Sequence, residues 1–518
     1  VKAHLVGGGI ASLASAVHLI RDGGVLGANI HIYEARDQLG GCLLATGDPE
    51  RGYILPGGRV FEAEYRCALE LFSIIPSVSD HSRSLKHKIE EFHQRYGWYD
   101  KARLVGANAR ILDADDFGLN TSDKLALTRL LLTPEPFLEN SRLDEWFSPV
   151  FFTTNLWFMW TTIMNSLPQH SVAEFRRFMN RFLHILPDIA RMTKIYRTRF
   201  DQYEAIIVPI QKWLEKQSVN FHLNSSVIDV DFLPSLDELT AQGLTVERAG
   251  AREKVTVAPS DLVFVTNGSQ LADFSVGSMA SPPPAINTGR SWALWETLSR
   301  GRREFGNPAV FFGHPEDSRW VTFTVTARDD TFFNRLKQFT GNDTGRGGLI
   351  SFTESNWLLT IVTFHQPEFV GQPQDVQLWW GFGLYPDKFG NLIKKPMTQC
   401  TGEELMREVL HHLRFDGDAD RIIGGSICIP CLLPQVGAIW SVRKQTDRPP
   451  VVPKGSTNFA FIGEFAEIPT EAAFTMEYAV RTARVAVTEL LGIDRKPPPP
   501  YQGLLDPAAL YNAMKVIA

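Results

Sequence analysis

"VKAHLVGGGIASLASAVHLI" occupies residues 1–20. A short apolar run, Ala3 to Val6, meets three glycines and then a helical pattern. Ile10, Leu13, Ala14 and Val17 recur at i, i+3, i+4 and i+7, one face of an amphipathic helix. The glycines therefore stand at a strand-to-helix turn. Gly7 takes a tight turn that a Cβ would obstruct, and Gly9 lets the backbone approach a ligand closely. The helix start, Ile10 and Ala11, presents free N–H groups and a partial positive charge, which suits a pyrophosphate. Ser12 holds the third glycine position of G-x-G-x-x-G and is small enough for close strand–helix packing.

A glycine pattern alone is weak evidence, so the surrounding chain matters. A second short strand, "NIHIYE", ends in Glu34, 25 residues after Gly9. An acid there accepts hydrogen bonds from ribose hydroxyls. "EARDQLGGCL" follows at once with Arg36, Gly40 and Gly41. That pairing points to FAD rather than a nicotinamide nucleotide. The plain alternative is a structural βαβ unit without ligand.

With 518 residues, the chain is long enough for several domains. Hydrophobic content of 44% and charged content of 21% are those of a globular protein. A net charge of −6 without long blocks of one sign excludes a polyelectrolyte surface for nucleic acid. The five cysteines are few and odd in number. Cys428 and Cys431 form C-x-x-C but lack a second pair, so no metal is expected. A reduced, cytoplasmic protein is the expectation. No apolar stretch reaches the roughly 18 residues of a membrane span. The opening run lacks a basic n-region and is not read as a signal peptide.

The fold class expected is α/β: a discontinuous FAD-binding Rossmann-like domain, a mixed α+β substrate domain and helical insertions. Residues 1–63, 219–286 and 435–495 form the FAD-binding domain. Residues 64–218 form a mainly helical insertion lining the substrate channel, with "SVAEFRRFMNRFLHIL" strongly periodic. Residues 287–434 form the mixed domain. "DRKPPPPY" opens a C-terminal linker and helix, 496–518, with Asp506 as N-cap and Pro507 at the first helical position. That helix either docks on the body or makes a peripheral membrane contact. Aromatic-rich "NLWFMW" (Asn155 to Trp160) reads as core or as the wall of a large apolar ligand channel.

Several stretches resemble the oleate hydratase family, also called myosin-cross-reactive antigens. They are "GGGIASLASAVHLIRDGG", "GDPERGY…GGR", "DLVFVTNGS", "FGNPAVFF", "WWGFGLYPDKFGN…KKPM…CTGEE" and "VVPKGSTNFAFIGEFAEIP…TMEYAVRTA". The resemblance covers nearly the whole chain, in order. It implies an FAD-dependent enzyme that adds water across a cis double bond of a long-chain unsaturated fatty acid, with no net redox change. It implies FAD contacts from Gly7, Gly9, Glu34, Gly40, Gly41, Arg59, Gly463, Glu464 and Phe465. Ile10, Ala11, Val227 and Asn267 are assigned to the same site.

Three positions depart from the family pattern. The activating glutamate follows the glycine–glycine–arginine turn in the family, and here Val60 stands there. Nearby Glu62 and Glu64 are expected as solvated acids. Phe178 falls where the family's proton-donating tyrosine lies, and Tyr203 is the nearest later candidate. Threonine, asparagine and histidine at the family's carboxylate end become Val362, Phe364 and Glu368. A carboxylate facing Glu368 is repelled unless one partner is protonated. His365 and Thr363 are expected on the opposite strand face, and Arg443 and Lys444 are alternative anchors. Two other functions compete with hydration. One is a flavoprotein isomerase or cyclase acting on another apolar alkene, and the other is an idle FAD- or lipid-binding homologue.

Overall fold

The computed structural model describes residues 1–517 apart from 59, 236, 287 and 288. The Ala3–Val6, Ile30–Tyr33 and Leu262–Thr266 strands are almost continuously apolar, the pattern of strands covered on both faces. They belong to a parallel five-stranded sheet. Its order is Phe459–Ile462, Leu262–Thr266, Ala3–Val6, Ile30–Tyr33, Asn220–His222. Helices Ile10–Arg21 and Met476–Leu490 pack together against it. An antiparallel meander, Ser225–Phe232, Ala241–Arg248 and Ala251–Thr256, follows the last of these strands. The fold is therefore α/β, with a Rossmann-like sheet assembled from segments far apart in the chain. Gly7, Thr266 and Gly463 each end or follow a strand at the carboxyl edge, where open parallel sheets bind ligands.

A second, seven-stranded sheet has at its centre Trp320–Ala327, Gln377–Gly383 and Leu359–Thr363. Its residues alternate between two faces. Phe323, Ile361 and Trp379 pack into a core with helices Thr331–Thr340 and Gly402–Leu413. Thr322, Val362, Trp380 and Phe382 face a cavity instead. Two strands of this sheet come from outside 287–434: Ser275–Val276, and Leu104–Val105 from the helical insertion.

The Val172–Arg181 helix joins the two halves. Its Glu174, Arg177 and Arg181 lie on one side and enter a buried ion network, while Phe178 faces the cavity. Arg177 pairs with Glu135 at 2.5 Å and with Glu467 at 2.6 Å. Glu174 pairs with Arg443 at 2.5 Å and Arg448 at 3.2 Å. Arg181 lies between Glu62 at 2.9 Å and Glu471 at 3.1 Å, and Arg481 reaches Glu471 at 3.1 Å and Glu477 at 2.7 Å. Glu62 is thus a buried, paired acid, not a solvated one: Arg181 and His184 both reach it. Glu64 is partly exposed and pairs with Arg66 at 2.8 Å. Arg443 is spent on the network and is not free to anchor a substrate.

Arg181→Met would leave Glu62 and Glu471 buried without their shared cation. The expected loss is about 3–5 kcal/mol of unfolding free energy, read by denaturant titration. Acid acts on the same network through Glu174. Burial alone would raise its pKa, but Arg448, Arg443 and Arg177 outweigh burial and lower it from 4.5 to about 2. A carboxyl lowered by folding stabilises above its unfolded value. Its contribution is therefore complete above pH 4.5 and disappears as the pH falls through about 2.

The C-terminal helix, Pro507–Ile517, starts as its sequence indicates. Asp506 Oδ1 accepts from Ala508 and Ala509 N–H, at 3.0 and 3.1 Å. It docks on the turn Leu183–Asp188 through buried Ala513 while Tyr511 and Met514 stay exposed. Among the described residues, no helix is long and apolar enough to cross a membrane.

Candidate active site

The glycine turn forms a cradle. The Ile10–Arg21 helix starts at Gly9 with no side-chain cap, and Ile10, Ala11 and Ser12 are buried. Buried N–H groups at an uncapped helix start attract an anion. Gly40 N–H donates to the Gly8 carbonyl at 3.0 Å, which lays the Gly40–Gly41 turn beside Gly8 and Gly9. A Cβ on Gly41 would come within 3.0 Å of Gly9 Cα. Glu34 closes the cradle: its Oε2 accepts from Gly8 N–H at 2.6 Å and its Oε1 from Arg36 N–H at 2.9 Å. Burial pushes the Glu34 pKa up, opposed by these N–H bonds. Each carboxylate oxygen keeps a further lone pair for a ribose hydroxyl. Gly463, at φ +96°, donates its N–H to Thr482 Oγ1 at 2.9 Å. Thr266 lies next to both Gly7 and Gly463, bringing the two ends of the chain together.

Asn267 Nδ2 donates to the Phe465 carbonyl at 2.9 Å and so holds this corner, while its buried Oδ1 has no partner among the described residues. Glu464 Oε2 lies 3.8 Å from Cys42 Sγ. Val227 is buried on the meander opposite Val246. Arg59 lies outside the described residues. An uncapped helix start, side-chain-free backbone and an acid with spare lone pairs together fit a dinucleotide diphosphate and its ribose.

Beside the cradle lies a cavity of about 170 Å³. Leu43, Leu44 and Leu55 and the Gly57–Gly58 turn form its wall towards the cradle. Val60 and Phe178 both line it, so the two positions to which the resemblance assigns proton chemistry are apolar here. Tyr203, the later candidate for the family's tyrosine, is not among the residues that line it. Asp201 Oδ1 caps the turn by accepting from Tyr203 and Glu204 N–H, and the Tyr203 ring packs on Gly40.

Val362, Phe364 and Glu368 reach the cavity, joined by His365. The strand ends at Thr363, so alternation stops there and His365 does not turn away from Phe364 as expected. Thr363 does turn away, donating to the Gly347 carbonyl at 3.0 Å.

Three cavity residues escape sequence reasoning: Tyr65, Arg197 and Asp201. Tyr65 lies five positions after Val60 and packs its ring 5.2 Å from the Arg181 guanidinium. Its hydroxyl lies 3.4 Å from the Val60 carbonyl oxygen. That short separation from Val60 is the one signal the chain offers. Nothing local marks Arg197 or Asp201. Burial pushes Tyr65 above its ordinary pKa, opposed by Arg181. Asp201 rises to about 8 through burial and then through the facing Glu204. Glu368 rises well above the carboxylate range through burial and then Asp201, with Arg197 and Arg199 opposing.

The family model described as "MCRA family" matches residues 1–488. An oleate hydratase of Streptococcus pyogenes serotype M49 (strain NZ131) is 33% identical, covering 99% of this chain and 89% of its own. A linoleate hydratase of Lactiplantibacillus plantarum is 32% identical, covering 95% and 94%. Among solved structures, putrescine oxidase bound to putrescine superposes with a TM-score of 0.57 at 13% identity, over 95% of this chain and 99% of the other. Cyclohexylamine oxidase from Brevibacterium oxydans IH-35A gives 0.55 at 15%, with the same coverage. At such identities the two oxidases share the fold, and only the fold, with this chain. The extent of the family match and the two hydratase relatives decide the matter: the chain belongs to the MCRA family.

Proposed function

We propose that this chain is an FAD-dependent hydratase, a hydro-lyase that adds water across a cis double bond of a long-chain unsaturated fatty acid to give a hydroxy fatty acid. One observation carries the reading. In a chain about one-third identical to an oleate and a linoleate hydratase, a mainly apolar cavity opens beside a cradle suited to a dinucleotide. Gly7, Gly9, Ile10, Ala11, Glu34, Gly40, Gly41 and the Gly463–Glu464–Phe465 corner would hold FAD. When bound, the flavin supplies a polar ring that steadies developing positive charge, without net electron transfer.

An isolated alkene is a weak base, so the cavity must supply an acid. Val60 and Phe178 carry no transferable proton, and Tyr65 places a phenol on the same wall. The Tyr65 proton passes to one alkene carbon, the water oxygen bonds the other, and a water proton returns to the phenolate. The sum is one added water. The Arg181 guanidinium near the ring offsets part of the burial that disfavours the transient phenolate, and Val362, Phe364 and Trp380 exclude bulk solvent around the chain.

The test is incubation of the full chain with FAD, a reductant and oleate in heavy-oxygen water, followed by mass spectrometry. The expected product is a hydroxystearate carrying one heavy oxygen, without stoichiometric use of an electron acceptor. A hydroxyl derived from molecular oxygen, or no product from a panel of cis-unsaturated acids, would overturn the proposal.

A further inference from the structure

Polar groups gather on one stretch of the cavity wall: Arg197, Asp201, His365 and Glu368. They come from two loops tied together. Asp201 N–H donates to the Glu368 carbonyl at 2.8 Å, and Arg199 Nη1 donates to the Pro367 carbonyl at 2.8 Å. Gln372 Oε1 accepts from Glu368 N–H at 2.8 Å and from Phe369 N–H at 3.1 Å, which fixes the turn. The Arg197 guanidinium lies 4.3 Å from the Trp98 ring centroid and donates to the Gly345 carbonyl. No carboxylate of the described residues lies within ion-pair distance of it, in contrast to Arg177, Arg181 and Arg443.

We propose that Arg197 anchors the substrate carboxylate, with the Glu368 carboxyl beside it. This deepens the hydratase reading and rests on it for the identity of the ligand. A cation facing an apolar cavity without a counter-ion is costly, and an incoming anion removes that cost. Arg offers a planar fork that matches a carboxylate with two parallel bonds, and Trp98 holds the fork in place. The groups around Arg197 leave it as the charge that matters. Burial, then Arg199 and Arg197, lower His365 to about 4, so it faces the cavity neutral. Asp201 and its neighbour Glu204 are both shifted upward, as is Glu368. Asp100 and Arg346 also face Arg197, and Asp100 is occupied by the N–H groups of Gly348 and Leu349. The upward shifts of Asp201 and Glu368 favour their neutral carboxyls, while Arg197 on the wall and Arg199 behind it supply the positive charge. Here the acid at position 368 assists a carboxylate ligand instead of repelling it.

The experiment measures binding of stearate and of 1-octadecanol to the full chain, by competition against a fluorescent fatty acid. Neither probe has a double bond, so binding is read apart from hydration. The wild type is expected to favour stearate. Arg197→Met should weaken stearate by about 10- to 100-fold, the worth of one charged hydrogen-bonded pair, and leave 1-octadecanol unchanged. Arg197→Lys should fall between them. Stearate affinity of the wild type should decline as the pH passes about 8, where Asp201 ionises. Glu368→Gln keeps a neutral donor, so it should retain stearate, and Asp201→Asn should flatten that decline. Wild-type stearate affinity in Arg197→Met, or an unchanged pH profile in Asp201→Asn, would overturn the anchor. So would a wild type that prefers 1-octadecanol. A wild type that binds stearate as described yet hydrates nothing would instead overturn the hydratase reading and leave the anchor in place.

Discussion

Gly9→Ala yields a folded protein without most of the wild type's affinity for FAD. Gly9 has φ −81°, an ordinary value for any residue. A Cβ there would meet only Gly41 Cα, at 3.8 Å, an ordinary separation. The polypeptide itself thus tolerates the methyl group, apart from about 1 kcal/mol for a poorer helix N-cap. A diphosphate lying on the backbone does not tolerate it. Overpacking of about 1–3 kcal/mol weakens binding by about 5- to 150-fold. Gly7→Ala is the contrasting variant. Gly7 has φ +98°, and its Cβ would lie 3.1 Å from Thr266 Oγ1, so the fold itself is strained. Flavin fluorescence titration and thermal melting of the two apoproteins separate these effects. Unaltered FAD affinity in Gly9→Ala would show that no diphosphate lies on this turn.

Tyr65→Phe is expected to lower kcat by about 100-fold or more, the usual worth of a positioned general acid, with KM changed less than about twofold. The phenylalanine ring still packs against Arg181, and the variant gives up a long hydrogen bond, 3.4 Å, to the Val60 carbonyl. Stability should therefore hold, and the fall in rate would report the phenolic proton alone. Initial rates of heavy-oxygen incorporation into oleate, with stearate binding as a control, make the measurement. An unchanged kcat would assign the proton to another cavity group, of which Asp201 and Glu368 are the nearest in chemistry.

The N-terminal part of the cradle is legible in the sequence because it is local. Strand, glycine turn and helix follow one another within residues 3–21, and Glu34 follows the next strand. The cavity wall is not legible in that way. Family resemblance points to Val60 and Phe178, while the phenol that accompanies them belongs to Tyr65, on the segment leading into the Arg66–Ile74 helix. Glu62 reads as a surface acid because its cation, Arg181, lies more than a hundred residues away. Strand alternation carried past Thr363 sends His365 to the wrong side, because the strand stops there.

From residues alone come the parallel α/β sheet, the nucleotide cradle and the family. Backbone conformation and hydrophobic period are set by neighbours a few positions apart. Tertiary structure alone decides which charges are cancelled and which remain. Arg181 and Arg443 resemble Arg197 in the chain, yet the first two form ion pairs with buried carboxylates and Arg197 lines the cavity without an ion pair to any described residue. Electrostatic role depends on what the fold brings within a few ångströms, and no sequence spacing encodes that distance.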